Sequence, residues 1–187
     1  MNCQWHNRGF SLIEMVLVVG ILVILAGLVL PMLWGVQDNS ASVATTSSLQ
    51  AIRAAIVGSG PGQPGYLSDM GTLPVTIRDL FIMPINATPF DPLTNRGWRG
   101  PYLLVATGTY QVNDSYGTKG DPAVLDSWGH PIIIQAAPTA SDSNPPHIRL
   151  VSAGQDGIIQ TPDGDSYPSP ATRGDDVVLF LMRADTP

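Results

Sequence analysis

An uninterrupted apolar segment near the N-terminus constrains the fold of this chain more than any other feature. No residue from Met15 to Gln37 is charged, and about 20 apolar residues are enough for a helix to span a bilayer. As an α-helix, residues 10–34 would be roughly 37 Å long. A cleavable secretory signal has a shorter apolar stretch of about 7–15 residues, followed by a cleavage site between small residues. The segment therefore predicts a membrane anchor over residues 10–34.

The charges that flank this segment predict its orientation. The initiator amine and Arg8 precede it, whereas Asp38 follows it and no basic residue appears before Arg53. Because positive charge is retained on the cytoplasmic side of a membrane, we expect a cytoplasmic N-terminus and an exported remainder.

One acidic residue lies inside the start of this helix. Glu14 is the only glutamate among the fifteen acidic residues of the chain. A charged acid at the centre of a membrane helix costs about 2.5–3.5 kcal/mol and usually marks a function. Two interpretations remain open: Glu14 is tolerated at the level of the lipid headgroups, or it meets a positive partner such as an N-terminal amine, which a helix start also favours.

The residues around Glu14 carry a specific resemblance. "RGFSLIEMVLVVGILVILAGLVLPML" resembles the N-terminus of type IV pilins and type II secretion pseudopilins, in which a polar leader ends in Gly and Glu is the fifth mature residue. The resemblance implies that residues 1–9 are a leader. It also implies that a prepilin peptidase cuts after Gly9 and methylates the amine of Phe10. Glu14 would meet the Phe10 amine of a neighbouring subunit, and Pro31 lies where the family's helix is kinked or locally opened.

The helical pattern continues beyond the apolar segment but becomes amphipathic. Apolar residues recur at helical spacing from Val36 to Ile56, until Gly58 and Pro61 end the pattern. The expected stem is therefore one helix, membrane-embedded over residues 10–34 and amphipathic over residues 35–57.

Residues 58–187 have the composition of a small head with long loops. The chain contains 19 Gly and 17 Pro, and three apolar segments are typical of strands: 131–137, 147–153 and 175–183, with a weaker one at 108–114. A short helix is predicted in "LPVTIRDLF", and Trp98 and Tyr102 are expected to pack on the stem or the sheet. The predicted fold class is α+β, with a long N-terminal α-helical stem packed against a small C-terminal antiparallel β-sheet head.

Five aspartates are concentrated near the C-terminus, with Arg173 as the only basic residue among them: Asp156, Asp163, Asp165, Asp175 and Asp176. Such oxygen ligands on a Gly-rich loop suit Ca²⁺, which takes six to eight oxygens in a flexible shell. The spacing is not that of an EF-hand. The alternative is a solvated acidic loop whose aspartates serve turns and caps.

Three segments resemble the tail of the major type II secretion pseudopilin, whose equivalent loops bind calcium: "DSWGHP" (126–131), "LVSAGQDG" (150–157) and "GDDVVLF" (174–180). The resemblance implies a Ca²⁺ site with two kinds of ligand, the side chains of Asp156, Asp175 and Asp176 and backbone carbonyls near Ala153 and Ile158. Residues 158–173 form a longer connection than the family pattern has. Asp163 or Asp165 could therefore replace a family ligand.

Composition argues against two other classes of protein. Nine basic residues are scattered singly in a chain of net charge −6, so nucleic-acid binding lacks electrostatic support. His130 and His147 are isolated and expected at the surface or in turns, and neither a nucleophile elbow nor a zinc motif is present. We therefore expect a protein that is not an enzyme.

The resemblance implies a structural subunit of a type II secretion-like pseudopilus that drives protein export. The precursor would be a single-pass protein of the bacterial inner membrane with a periplasmic head, later part of a periplasmic or surface filament. Its partners would be the prepilin peptidase, identical and related pseudopilin subunits, and an inner-membrane assembly platform. The alternatives are a minor pseudopilin, a type IV pilus subunit for adhesion, motility or DNA uptake, or a monomeric membrane-anchored calcium-binding module.

The first testable prediction concerns the N-terminus. The intact mass of the protein purified from membranes of its native host should correspond to a chain that begins at Phe10 and carries one added methyl group. A chain that still begins at Met1 would contradict processing, and a cut after residue 34 would identify a signal peptide instead.

Overall fold

The computed structural model describes residues 11–60, 62–137 and 146–183, without the side chains of 28–38 and of Arg183. The predicted processing residues Gly9 and Phe10 and the Pro31 side chain therefore lie outside the described residues, as do residues 138–145 between the predicted strands 131–137 and 147–153. Backbone contacts divide the chain into two compact units, Met1–Ser40 and Ala41–Pro187.

The described residues form one long helix, several short helices and strands that loops connect, and one larger sheet. The helices are α1 (Leu12–Val57), α2 (Tyr66–Met70) and α3 (Pro170–Arg173), with a 3₁₀ helix at Ile77–Leu80. The strands are β1 (Gly58–Gly60), β2 (Gln63–Pro64), β3 (Gly108–Thr109), β4 (Pro122–Ala123), β5 (Ile133–Ala137), β6 (His147–Ser152) and β7 (Val177–Arg183). The mixed helix and antiparallel sheet confirm the predicted α+β class.

The first unit contains the beginning of α1. The N–H of Glu14 lies 3.3 Å from Ser11 Oγ, so Ser11 caps the helix. Every side chain over residues 11–27 is exposed, including Leu12 at 83 %. No helix within the described residues has the length and apolarity that a membrane crossing requires. The predicted anchor, residues 10–34, extends beyond the side chains that the structure describes.

The second unit begins with the last turns of α1, which bury one helical face. Thr45, Leu49, Ile52 and Ile56 are each at most 1 % exposed, and their spacing of four, three and four residues places them on one side of a helix. This confirms an amphipathic pattern at the C-terminal end of the stem, although Val43 is exposed.

The larger sheet supplies the other side of the core. Its order is β5–β6–β7, and both pairs are antiparallel. Ile134 and Leu150, which are paired in register, pack with the α1 face in one apolar cluster. Side chains of the opposite face, including Ile133 and Val151, join Tyr110 in a second cluster. All three main strand predictions are confirmed, and both faces of the sheet are covered.

The middle of the chain is an ordered loop region, as predicted. The helix expected in "LPVTIRDLF" is the 3₁₀ helix Ile77–Leu80, and the backbone N–H of its N-cap residue, Thr76, donates to Asp79 Oδ2 at 3.3 Å. The Nε1–H of Trp98 donates to the Asp79 carbonyl at 3.3 Å, and the hydroxyl of Tyr102 donates to Asp69 at 3.0 Å. Trp98 and Tyr102 also pack against the main core cluster, so their predicted role in packing is confirmed.

One part-buried hydrogen bond ties α1 to the turn that precedes β5. The backbone N–H of Ser127 donates to Thr45 Oγ1 at 3.1 Å, and Thr45 is fully buried although Ser127 is exposed. A typical intramolecular hydrogen bond contributes about 0.5–1.5 kcal/mol to stability, so this bond helps to hold the 126–131 turn on the C-terminal end of α1.

The substitution Thr45→Val tests this contact. It keeps the shape of the side chain but removes the acceptor, so we expect a loss of about 0.5–1.5 kcal/mol in the free energy of unfolding, measured by denaturant titration. The control is Thr46→Val, because Thr46 is exposed and its hydroxyl bonds only within the helix. Equal effects of the two substitutions would contradict a specific role for Thr45.

Candidate functional site

Asp126 organises the first part of the candidate site. Its Oδ1 accepts hydrogen bonds from the backbone N–H groups of Trp128 at 3.0 Å and His130 at 2.9 Å. Its Oδ2 accepts one from the Ser152 hydroxyl at 2.6 Å. His130 Nδ1 lies 3.0 Å from the Gly154 carbonyl. The predicted segments 126–131 and 150–157 are therefore joined through one buried carboxylate.

Asp175 brings the third segment to the same place. Its Oδ2 accepts hydrogen bonds from the N–H groups of Gln155 at 2.6 Å and Asp156 at 3.1 Å. Gly154 has φ of +64°, and a Cβ there would lie 2.5 Å from the Asp175 carbonyl oxygen. Slight burial raises the pKa of Asp175, but backbone N–H groups and the Gln160 side chain lower it, with a net pKa below its ordinary value. The carboxylate is therefore held in its charged form.

Asp176 is the buried acid of the site. It is 4 % exposed, and its Oδ2 accepts from Gln160 N at 2.9 Å, Thr161 N at 2.7 Å and Thr161 Oγ1 at 2.6 Å. Its other oxygen, Oδ1, is buried without a hydrogen-bond partner among the described residues. A buried polar atom without a partner is unusual in folded proteins, so this oxygen is free to accept a donor or to bind a cation.

Gln160 connects the three predicted ligand aspartates, although sequence reasoning did not identify it. Its amide Nε2 donates to Asp156 Oδ2, its backbone N–H donates to Asp176 Oδ2, and its side chain lowers the pKa of Asp175. Its Oε1, like Asp176 Oδ1, is buried without a partner in the described part of the chain. No sequence signal marks this residue, because its position depends on the path of the long connection.

The other predicted ligands have different surroundings. Asp163 Oδ1 accepts from the Tyr116 hydroxyl at 2.7 Å, and Asp165 Oδ1 accepts from Tyr167 N at 2.8 Å. Asp156 Oδ1 also closes a local turn with Ile158 N at 2.8 Å, and Ala153 is buried. Asp163 and Asp165 thus serve a long-range contact and a turn, while Asp156, Asp175 and Asp176 share Gln160.

The side chains alone do not form a dense metal cluster. Over the described ranges, no three Asp, Glu, His or Cys side chains lie close enough together to hold one metal ion. The oxygen-rich loop nevertheless contains an amide and backbone carbonyls, which Ca²⁺ uses together with carboxylates.

His147 corrects the expectation of surface histidines. It is 2 % exposed, with Nε2 at 3.0 Å from the Asp163 carbonyl and Nδ1 at 2.8 Å from the Ser166 hydroxyl. The residue lies on the sheet face that the 158–173 connection covers, so a polar residue is buried because the loop supplies partners for both ring nitrogens.

Comparison with known proteins bears on the N-terminal segment. Residues 6–30 match the family described as the prokaryotic N-terminal methylation motif. Neither the curated proteins nor the solved structures contain a significant match to the chain. The matched range includes Gly9, Phe10 and Glu14, so the chain carries the N-terminal methylation motif that is typical of prepilin-like proteins of the type IV pilin and pseudopilin family.

Proposed function

We propose that this protein is a structural subunit of a type II secretion-like pseudopilus. The observation that carries the proposal is the methylation motif at residues 6–30, which indicates a prepilin-processed, pilin-like subunit. The finer assignment to the major pseudopilin branch is supported by the C-terminal region, where three resembling segments meet around Asp126 and Asp175. The proposed role is structural rather than catalytic.

The exposed start of α1 suits assembly between subunits. Its apolar side chains are exposed over residues 11–27, so lipid or neighbouring stems must cover them. An ideal Cβ at Gly20 or Gly27 would meet nothing within 4 Å, and small residues allow helices to approach closely. In the proposed filament, the stems form the apolar core and the heads form its surface.

Glu14 would have a specific place in this core. A carboxylate that enters an apolar interior without a partner is strongly unfavourable. The methylated amine of Phe10 from a neighbouring subunit would supply the opposite charge. The pairing would therefore favour one axial register between subunits.

The other proposed partners are the inner membrane, the prepilin peptidase and an assembly platform.

We further propose that the C-terminal loops bind Ca²⁺. The supporting observation is the pair of buried oxygens without partners, Asp176 Oδ1 and Gln160 Oε1, beside the carboxylates of Asp156 and Asp175. Two of these carboxylates, those of Asp156 and Asp176, would hold the ion together with Gln160 Oε1 and backbone carbonyls near Ala153 and Ile158. The ion would offset the negative charge of the aspartates and link the two ends of the 158–173 connection.

The assembly proposal is tested by Glu14→Ala in cells that form the filament. We expect the variant to be processed and anchored like the wild type but to fail in assembly, as measured by fractionation of sheared filaments. Ser11→Ala is the matched control, because it alters the same helical turn without removing a charge. Normal filaments of Glu14→Ala would contradict the proposed pairing.

The calcium proposal is tested with the purified full-length protein in detergent. Titration with CaCl₂ should raise the stability of the protein, by about 2.7 kcal/mol at one hundred times the dissociation constant. Asp156→Asn should weaken calcium binding. Asp165→Asn, which removes a carboxylate from the neighbouring 158–173 connection, should not. A wild-type protein whose thermal unfolding is insensitive to CaCl₂ would exclude the site.

A further inference from the structure

Three polar side chains lie together on the face of the larger sheet that the 158–173 connection covers. Gln135 on β5 and Arg149 on β6 are paired in register, and His147 precedes Arg149 by two residues on the same face of β6. Each of the three is at most 2 % exposed. A polar set of this kind is stable only when its members have hydrogen-bond partners.

The partners are carbonyl oxygens of the 158–173 connection. Gln135 Nε2 donates to the Thr161 carbonyl at 3.1 Å, and His147 Nε2 lies 3.0 Å from the Asp163 carbonyl. Arg149 donates to the carbonyls of Pro162 and Asp165. Four carbonyls within five residues are thus bound by three sheet side chains, which we call the polar clamp.

Arg149 is the central member of the clamp. Its Nε donates to Gln135 Oε1 at 2.9 Å, and its guanidinium lies 5.8 Å from the centre of the Phe180 ring. Among the described side chains, none forms an ion pair with it. Burial lowers the pKa of Arg149, while Asp165 and Asp163 oppose this change. The charge is therefore stabilised by the loop carbonyls that it binds and by the nearby carboxylates of Asp165 and Asp163, so it helps to fix the loop around it.

The same stretch of loop reaches the acidic site. Thr161 donates through its N–H and its hydroxyl to Asp176, while its carbonyl accepts from Gln135. Gln160, directly before it, bonds the aspartates of the site. Residues 160–161 are consequently held from two sides, by the acidic site and by the polar clamp.

We propose that Arg149 is a positioning residue for the calcium site, a role that rests on the proposed binding of Ca²⁺. Arg149 orders residues 161–166 before the ion binds, so that Gln160 and Thr161 already face Asp176. The ion then binds without the entropic cost of ordering this loop. The guanidinium of Arg149 thus fixes residues 161–166 of the connection, and the calcium ion would fix the part around Gln160.

The proposal is tested with full-length Arg149→Met and Arg149→Lys in detergent, using CaCl₂ titration and hydrogen exchange. In chelator, amides of residues 158–173 should be protected in the wild type and exchange rapidly in Arg149→Met, with protection restored by excess CaCl₂. Calcium affinity of Arg149→Met should fall by about tenfold, within the usual range for coupled sites. Arg149→Lys should recover part of the affinity, because it retains the charge.

Leu80→Ala is the control for a general loss of stability, because Leu80 is buried in the main core and belongs to the 3₁₀ helix, outside the clamp and its loop. Its calcium affinity should remain close to that of the wild type. If Arg149→Met fails to fold, Gln135→Leu removes the bond to Thr161 and should weaken calcium binding in the same direction.

The outcomes separate this proposal from the calcium proposal itself. A wild-type protein that does not bind calcium overturns both. A wild-type protein that binds calcium, with unchanged affinity in Arg149→Met or an equal loss in Leu80→Ala, overturns only the positioning role. Rapid exchange of residues 158–173 in the wild type without calcium also overturns it.

Discussion

The second unit depends on the burial of β6 on both of its faces. Leu150 and Arg149 are adjacent in sequence and both are fully buried, but they point to opposite sides of the sheet. Leu150 joins the apolar cluster that includes Leu49 of α1, and Arg149 binds loop carbonyls. One strand therefore holds the stem face with apolar contacts and the C-terminal connection with hydrogen bonds.

The acidic site shows how a chain with a negative net charge can gather carboxylates in one place. Backbone N–H groups bind Asp175 and Asp176, and the amide of Gln160 donates to Asp156. At Asp175, hydrogen bonds of this kind lower the pKa and stabilise the ionised form without a counter-charge. The remaining buried oxygens, Asp176 Oδ1 and Gln160 Oε1, connect this arrangement to the proposed calcium ion.

The N-terminal unit differs from the second unit because its apolar side chains are exposed. Its helix begins at a Ser11 cap and exposes apolar side chains on every side over residues 11–27, a pattern that is stable only when lipid or other helices cover it. Glu14 lies in the first turn of this helix. The helix dipole explains why an acid suits the helix start, and the matched methylation motif, residues 6–30, includes the same residue.

The sequence by itself determined the elements whose signal is local. Helical spacing predicted the buried face at Leu49 and Ile56, and apolar runs predicted β5, β6 and β7. A short N-terminal pattern indicated the methylation motif that residues 6–30 match. Only the tertiary structure decided the roles of Gln160, His147 and Arg149. Each role depends on a contact with a residue that lies 14 to 19 positions away in the sequence. A polar residue in a strand or loop does not carry a local signal of burial, since its partners are backbone groups that the fold brings to it.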